Sequence, residues 1–161
     1  MPEVFLRTMS PHRFDLFIED NIVRYAVELR EAGYANEEAA LRKSRNDTQN
    51  LLPRGIDTPG HHFFVIVDAA TDEEIGDIWI RLEEEPRRSV FVFSLFLDEA
   101  HRGKGFGKDA MRKLDDVAMS MGAESINLHV FGQNERAIRL YRSSGYVVRS
   151  MNMGKELEPS K

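Results

Sequence analysis

The stretch SVFVFSLFL at residues 89–97 is the feature that most constrains the fold. It is apolar on both faces, and only Ser94 interrupts it. Branched and aromatic residues of this kind favour a β-strand, and a strand that is apolar on both faces has to be covered on both faces. The pattern therefore predicts a central strand in a sheet that carries helices on each side.

Two further stretches, 61–67 and 74–82, have the same strand-like composition and are joined to it by short polar connectors. Short connectors of this kind imply antiparallel neighbours. Apolar periodicity and cap signals predict the other elements. These are a strand at 4–9, a helix from Pro11 to a stop at Gly33, a helix from Asn36 to before Pro53, a helix after the glycines near 105, a strand at 125–131, a helix at 134–144 and a closing strand at 146–153.

The strands at 89–97 and 125–131 are separated by a helix. Such a connection is right-handed and makes the two strands parallel. We therefore expect an α+β fold with a mixed, mostly antiparallel sheet of six to seven strands and helices on both faces. The expected order is β-α-α-β-β-β-α-β-α-β, in a single domain that spans residues 1–161.

Composition excludes several classes of function. Lys plus Arg total 22 against 27 Asp plus Glu, which gives a net charge of −5 and no basic footprint for nucleic acid. The absence of cysteine excludes disulfides, thiolate metal sites and a cysteine nucleophile. No apolar run reaches the length of a membrane span, so we expect no membrane partner and a cytoplasmic protein.

The segment HRGKGFGKDAMRKLD at 101–115 combines glycines with basic residues at the start of a helix. Helix N-termini have unpaired amides and a positive dipole end, and glycine lets an anion approach the backbone closely. The segment is therefore a candidate cradle for a phosphate or pyrophosphate. The alternative is a glycine-rich turn with solvated charges. The residues concerned are Arg102, Gly103, Lys104, Gly105, Gly107 and Lys108.

Two well-known nucleotide loops do not fit this segment. A Walker A loop needs four residues between its glycines and a Ser or Thr after the lysine, whereas Asp109 follows Lys108 here. The dinucleotide pattern needs a glycine where Lys108 stands. These departures disfavour a nucleotide-binding protein, and we expect no metal site.

The sequence RGKGFG at 102–107 resembles the Arg/Gln-x-x-Gly-x-Gly/Ala signature of the GNAT superfamily of acyl-CoA-dependent N-acyltransferases. SLFLDEAH at 94–101 stands where that family has its central strand. Asn134-x-x-Ala137-x-x-x-Tyr141-x-x-x-Gly145-Tyr146 is similar to the family's second motif. The resemblance covers nearly the whole chain, and the stretches 51–62 and 127–134 resemble a bacterial branch of the family.

The resemblance implies the GNAT fold, with a bulge in the central strand that exposes backbone for the pantetheine arm. Backbone groups on that strand would bind the pantetheine and the acetyl group, and the loop amides would bind the pyrophosphate. Asn134 has two interpretations, a helix N-cap and a hydrogen bond to the pantetheine arm. The implied cofactor-binding residues are Leu95, Phe96, Leu97, Arg102, Gly103, Lys104, Gly105, Phe106, Gly107, Lys108 and Asn134.

Tyr141 is the catalytic residue that the resemblance implies, as the acid that protonates the departing CoA thiolate. It lies about two helical turns after Asn134, so both side chains point to one face. The alternative is an ordinary half-buried tyrosine. The general base stays open. We expect His61 and His62 to be a surface pair, and Glu28 either faces the acceptor site or is solvated.

The function implied is transfer of an acetyl group from acetyl-CoA to a primary amine by direct attack. Without cysteine, a covalent acyl-cysteine route is excluded. The alternative function is a non-catalytic acyl-CoA-binding sensor or interaction module on the same fold. The partners implied are acetyl-CoA and a small-molecule or peptide amine. The family forms its acceptor pocket from stretches that correspond to residues 25–60 and 146–155. The oligomeric state is open, and a homodimer is one option.

Overall fold

A five-stranded sheet organises the fold, in a computed structural model that describes residues 2–34 and 36–159. Two short 3₁₀ turns, at Gly55–Asp57 and Glu99–His101, lie in the connections. The helices and strands in chain order are β1 (Val4–Thr8), α1 (Pro11–Glu31), α2 (Glu37–Leu51), β2 (His61–Asp68), β3 (Glu74–Glu83), β4 (Ser89–Leu97), α3 (Phe106–Ser120), β5 (Ser125–Leu128) and α4 (Glu135–Ser143).

The strands lie side by side in the order β1-β2-β3-β4-β5, antiparallel up to β4 and parallel between β4 and β5. This confirms the mixed α+β sheet and the parallel pair. One face of the sheet packs against α1 through Phe17 and Phe63, and the other packs against α3 through Met111 and Leu114. Within residues 2–34 and 36–159, none of the helices combines the length and apolar character that a bilayer span requires.

Side-chain caps set the starts of the first two helices, as the sequence predicts. The Ser10 hydroxyl accepts a hydrogen bond from the Arg13 amide at 3.1 Å, and Pro11 occupies the first turn. The Asn36 side chain accepts from the Ala39 amide at 2.9 Å. Each cap satisfies an amide that the helix itself leaves unpaired.

The expected number of strands is wrong. The sheet has five strands instead of six to seven, and residues 146–153 form no strand in the described chain. The strand at 125–131 also ends early, at Leu128. A strand exists only where a neighbour accepts its backbone hydrogen bonds, and the pattern at 146–153 says nothing about whether the same chain provides that neighbour.

A bulge in β4 separates it from β5. Opposite β3, Ser94 pairs with Trp79 but Val92 pairs with Ile80, so Phe93 is an additional residue on β4. The pairing of β4 with β5 covers only Ser89–Val92. From Phe93 onward the two parallel strands diverge, and we call the opening between them the β4–β5 cleft.

His61 is buried, so the expected surface pair of histidines is wrong at this position. The alternation along β2 places His61 on the face that carries Phe63 and packs against α1. Its Nδ1 accepts a hydrogen bond from the Trp79 indole at 2.9 Å. Burial is the main cause that lowers the pKa of His61 to about 4, and the positive charge of Arg81 adds to it.

We expect this histidine to make the fold sensitive to acid. Its pKa in the folded protein lies below the ordinary value of 6.5, so the unfolded chain binds the extra proton between about pH 6.5 and pH 4. The free energy of unfolding should therefore fall as the pH drops through that window, by up to about 3 kcal/mol from this group. Urea titrations at pH 7 and pH 4.5 measure the loss.

The variant His61→Gln, whose amide oxygen can still accept from the Trp79 indole, should show a smaller loss between the two pH values. The matched control is His12→Gln, because His12 is exposed near the start of α1 and does not contribute to the lowered pKa of His61. Equal pH dependence in the wild type and in His61→Gln would contradict the assignment.

Candidate active site

The β4–β5 cleft contains a cavity of about 620 Å³. Its walls are the second half of β4, the end of β5 with the connection that follows, and one side of α1, α2 and α4. The lining includes Asn21, Arg24, Tyr25, Glu28, Asp47, Thr48, Trp79, Phe91, Phe93, Ser94, Leu95, Phe96, Phe131, Asn134 and Tyr141.

The helix α1 contributes a continuous stripe to the cavity. Asn21, Arg24, Tyr25 and Glu28 follow one another at helical spacing and therefore share one face. The carbonyl of Glu28 accepts a hydrogen bond from the Gln133 side chain at 3.3 Å. The rings of Tyr25 and Phe131 stack 6.4 Å apart. These contacts hold the end of α1 against the connection between β5 and α4.

Glu28 on α1 and Tyr141 on α4 both line the cavity. Burial raises the pKa of the Tyr141 hydroxyl to about 12, and the charge of Glu28 adds to the shift. Burial also raises the pKa of Glu28, although the charge of Arg24 opposes it. The cavity therefore holds a hydroxyl and a carboxyl group, and the charge of the carboxylate is close enough to affect the pKa of the hydroxyl.

The other charges of the cavity wall are paired. Asp47 binds the Lys43 ammonium at 2.8 Å, and Arg24 binds the buried Asp77 at 3.1 Å. The Arg24 guanidinium also lies 3.9 Å from the ring centre of Phe96. Glu28 makes no ion pair with any residue that the structure describes. Of the two carboxylates that line the cavity, Glu28 and Asp47, it is therefore the unpaired one.

Asn21 is the buried polar group of the same wall. Its side chain lines the cavity, the residue is only 7% exposed, and it makes no hydrogen bond to any described residue. Its polar atoms are not sealed from solvent, so water or a ligand in the cavity can supply the missing hydrogen bonds. The neighbouring Thr48, in contrast, donates its hydroxyl to the Ser44 carbonyl at 2.8 Å.

The structure brings together four of the predicted cofactor-binding and catalytic residues, and Glu28 lines the same cavity. Leu95, Phe96, Asn134 and Tyr141 line the cavity, whereas Leu97 and the glycine loop lie outside its lining. The Leu95 and Leu97 side chains pack into the core beside α3, so only their backbone is available to a ligand.

The glycine loop follows directly from the end of β4. Gly103 and Gly105 have φ of +73° and +95°, and Gly105 is the N-cap residue of α3. The helix ladder begins where the Asp109 amide donates to the Gly105 carbonyl, so the amides of the first turn have no helical partner. The loop therefore has the backbone geometry that an anion site needs.

Not every residue of the loop is free for a ligand. Arg102 turns back and donates from Nε to the Leu97 carbonyl at 2.8 Å. A Cβ on Gly107 would come within 3.3 Å of Leu140, so this glycine permits close packing of α3 on α4. Asp109 accepts from the Val4 amide at 2.8 Å and thereby ties β1 to α3.

Asn134 is the N-cap of α4, because its side chain accepts a hydrogen bond from the Ala137 amide at 3.2 Å. This confirms the capping interpretation. The amide nitrogen of the same side chain makes no hydrogen bond to a described residue, and Asn134 lines the cavity. The cap therefore leaves a donor for a ligand.

Sequence reasoning did not find the stripe on α1 apart from Glu28. A polar stripe on an amphipathic helix looks solvated until the neighbouring elements are known. The one indication in the sequence was the helical spacing of Asn21, Arg24, Tyr25 and Glu28.

The acceptor pocket was expected to form from residues 25–60 and 146–155. Residues of α1 and α2 in the first range line the cavity, but no residue of the second range does.

A parallel strand pair that parts at a bulge, followed by a glycine loop at a helix start, agrees with the fold of the family that the sequence motifs resemble. The sequence profile of the Acetyltransferase (GNAT) family matches residues 20–146. The chain belongs to this family.

The relatives agree with this assignment. The chain is 33% identical to the uncharacterized N-acetyltransferase YdgE and 35% identical to the uncharacterized N-acetyltransferase YycN, both of Bacillus subtilis strain 168. The alignments cover 94% and 96% of this chain, and 97% and 99% of those proteins. The crystal structure of YycN superposes with a TM-score of 0.92 over 97% of this chain and 99% of that chain.

Proposed function

We propose that this protein transfers an acetyl group from acetyl-CoA to a primary amine by direct attack in the β4–β5 cleft. The observation that supports the proposal most is the arrangement of the cavity. The unpaired half of β4, the Tyr141 hydroxyl and the free Glu28 carboxylate face one space. The glycine loop begins five residues beyond Leu97, where β4 ends.

The donor would lie along β4. Beyond Val92 that strand has no partner on the β5 side, so an extended amide-containing chain can pair there as a strand does. The first-turn amides of α3 would donate hydrogen bonds to the pyrophosphate, and Lys104 and Lys108 would add positive charge beside it. The side-chain amide nitrogen of Asn134, at the start of α4, would donate a hydrogen bond to the pantetheine arm.

Tyr141 would stabilise the thiolate by a hydrogen bond. A free thiol has a pKa of roughly 8.5, so complete transfer of a proton from a phenol of pKa about 12 is uphill by about 5 kcal/mol. The hydroxyl therefore donates to the sulfur as negative charge develops, and the proton moves late. This interaction is made in the transition state and hardly in the ground state.

Glu28 would accept the proton that the attacking amine loses. The amine nitrogen forms a bond to the acetyl carbon, the carbon–sulfur bond breaks, and the ammonium proton passes to the carboxylate. Burial raises the pKa of Glu28 and makes the carboxylate a better proton acceptor than a solvated one. Its negative charge also attracts a cationic amine into the cleft.

The acceptor would occupy the space between α1, α2 and the aromatic side chains of β4. Asn21 lies seven residues before Glu28 on α1, about 10 Å along the helix axis. We infer that the acceptor carries its amine at the Glu28 end, an apolar or aromatic stem, and a hydrogen-bonding group that reaches Asn21. Small amines and peptide amines both meet this description.

The function is tested by thiol release from acetyl-CoA against a panel of amines that differ in stem length and in the terminal polar group. We expect equal amounts of thiol and N-acetylated product, with turnover unchanged by a chelator. Binding of acetyl-CoA without turnover of any amine would contradict the proposal and favour an acyl-CoA sensor. Loss of turnover with the chelator would contradict the expectation of no metal.

For Tyr141→Phe we expect at least about a tenfold lower kcat with little change in the affinity for acetyl-CoA. The phenylalanine keeps the ring that packs against Tyr146 and removes the donor alone. Steady-state kinetics with an accepted amine, together with calorimetric titration of acetyl-CoA, separates the two quantities. A variant with wild-type kcat would make Tyr141 an ordinary half-buried tyrosine.

For Glu28→Gln we expect a lower kcat and a changed pH profile. Because the pKa of Glu28 is raised above its ordinary value of 4.5, the wild-type kcat should rise with pH through that higher pKa as the carboxylate ionises. The glutamine variant should lose this acid limb. The control is Asp20→Asn, since Asp20 is an exposed carboxylate on the same helix and does not contribute to the raised pKa of Glu28. An acid limb that persists in Glu28→Gln would exclude this residue as the base.

A further inference from the structure

Two opposite charges on α1 stay apart in the cavity. Arg24 and Glu28 are four residues apart on one face of the helix, and both line the cavity. An arginine and a glutamate at this spacing can form an ion pair on a helix surface. No ion pair joins them here, although the charge of Arg24 is close enough to oppose the rise in the pKa of Glu28. The cavity wall therefore has a positive and a negative pole.

Two contacts from the sheet hold the Arg24 guanidinium away from Glu28. Its Nη2 donates to the Asp77 carboxylate at 3.1 Å, and its central carbon lies 3.9 Å from the ring centre of Phe96. Asp77 and Phe96 are direct partners in the register between β3 and β4, so both contacts come from one place in the sheet. The position of the positive pole is therefore fixed by the fold.

The pairing with Asp77 does not saturate Arg24. A guanidinium has five N–H donors, and among the described residues Arg24 donates only to Asp77. The other oxygen of Asp77 lies 3.6 Å from Arg13, which also reaches the exposed Glu74 at 3.6 Å. One buried carboxylate is thus shared by two guanidiniums. With a quarter of its side chain exposed, Arg24 keeps donors and positive charge for a ligand in the cavity.

Asn21 adds a donor to the positive pole. It precedes Arg24 by one helical turn, lines the same cavity and makes no hydrogen bond to a described residue. The two oxygens of a carboxylate can accept from a guanidinium and from an amide at the same time. Asp47, the other acid of the lining, is bound by Lys43 at 2.8 Å, and this cation offsets its repulsion of an anion.

We propose that the acceptor is a zwitterion of the amino acid type, whose amine lies at Glu28 and whose carboxylate is bound by the Arg24 guanidinium together with the Asn21 amide. This inference rests on the acetyl transfer proposed above and names the chemical class of the acceptor. The carboxylate takes no part in the transfer itself. It orients the molecule so that the amine nitrogen is presented to Glu28, and it rejects amines without an acid group.

Matched pairs of amines test the inference. The acids β-alanine, γ-aminobutyrate and ε-aminocaproate are each compared with the carboxamide of the same acid, which keeps the length and a hydrogen-bonding oxygen but loses the charge. For the pair that the wild type acetylates best, we expect kcat/KM at least about tenfold higher for the acid, because hydrogen bonds to charged groups are the stronger ones. In Arg24→Gln the ratio of acid to carboxamide should fall to about one.

The matched control is Arg13→Gln. It removes the other guanidinium from the same carboxylate, but Arg13 is not part of the cavity lining, so the ratio should stay as in the wild type. The double variant Arg24→Gln/Asp77→Asn removes the buried charge together with its partner, so the test does not depend on a variant that leaves Asp77 short of a cation. It should lose the preference for the acid as well.

Binding is measured apart from turnover, by calorimetric titration of each pair into the protein loaded with CoA. Turnover of amines without preference for the acid, or a preference that survives in Arg24→Gln, would overturn this inference and leave acetyl transfer standing. Preferential binding of the acid without any turnover would support the zwitterion site and contradict acetyl transfer. Neither binding nor turnover of any pair would contradict both.

Discussion

The additional residue at Phe93 is the constraint on which the rest of the site depends. Between Val92 and Ser94, β4 has one residue more than β3 can pair, and the strand bends away from β5. Four paired residues remain between β4 and β5, and the space beyond them becomes the cavity. A regular parallel pair would fill that space with its own ladder and leave no backbone for a substrate.

The second half of β4 has no partner on the β5 side and is held by β3 on its other side. Gly76 lets β3 approach β4 closely there, because a Cβ on this residue would overlap the Phe96 carbonyl oxygen. The Arg102 guanidinium holds the Leu97 carbonyl at the end of the strand, and Arg24 covers the ring of Phe96 from α1. Asp77 in turn keeps Arg24 in place. The unpaired half of β4 is thus rigid although one of its edges is open.

The electrostatics of the cleft depend on which charges find partners. Arg24 and Asp47 are paired with Asp77 and Lys43, and the charge of Arg24 also opposes the rise in the pKa of Glu28. Glu28 has no such partner, and its charge when ionised helps to raise the pKa of Tyr141. A tyrosine that burial keeps protonated and a carboxylate whose raised pKa makes it a stronger proton acceptor share one cavity, which suits a reaction that protonates a leaving group and deprotonates a nucleophile.

Much of the fold could be predicted because its signals are local. The apolar run at 89–97 predicted the central strand, and the caps at Ser10 and Asn36 predicted helix starts. The burial of His61 could not be predicted, because it depends on Trp79, which lies eighteen residues away in the chain and supplies the hydrogen bond. The placement of Glu28 depends in the same way on the connection after β5.

The error at residues 146–153 has a different cause. The apolar residues of this stretch predicted a strand, but a strand also requires a neighbour that accepts its backbone hydrogen bonds, and no described strand pairs with it. Opening the cleft leaves β5 with four residues of pairing on its inner side. Tyr146, the first residue of the stretch, has its ring centre 5.7 Å from that of Tyr141. The stretch therefore begins as a support for the ring of the proposed proton donor, and it provides that support without forming a strand.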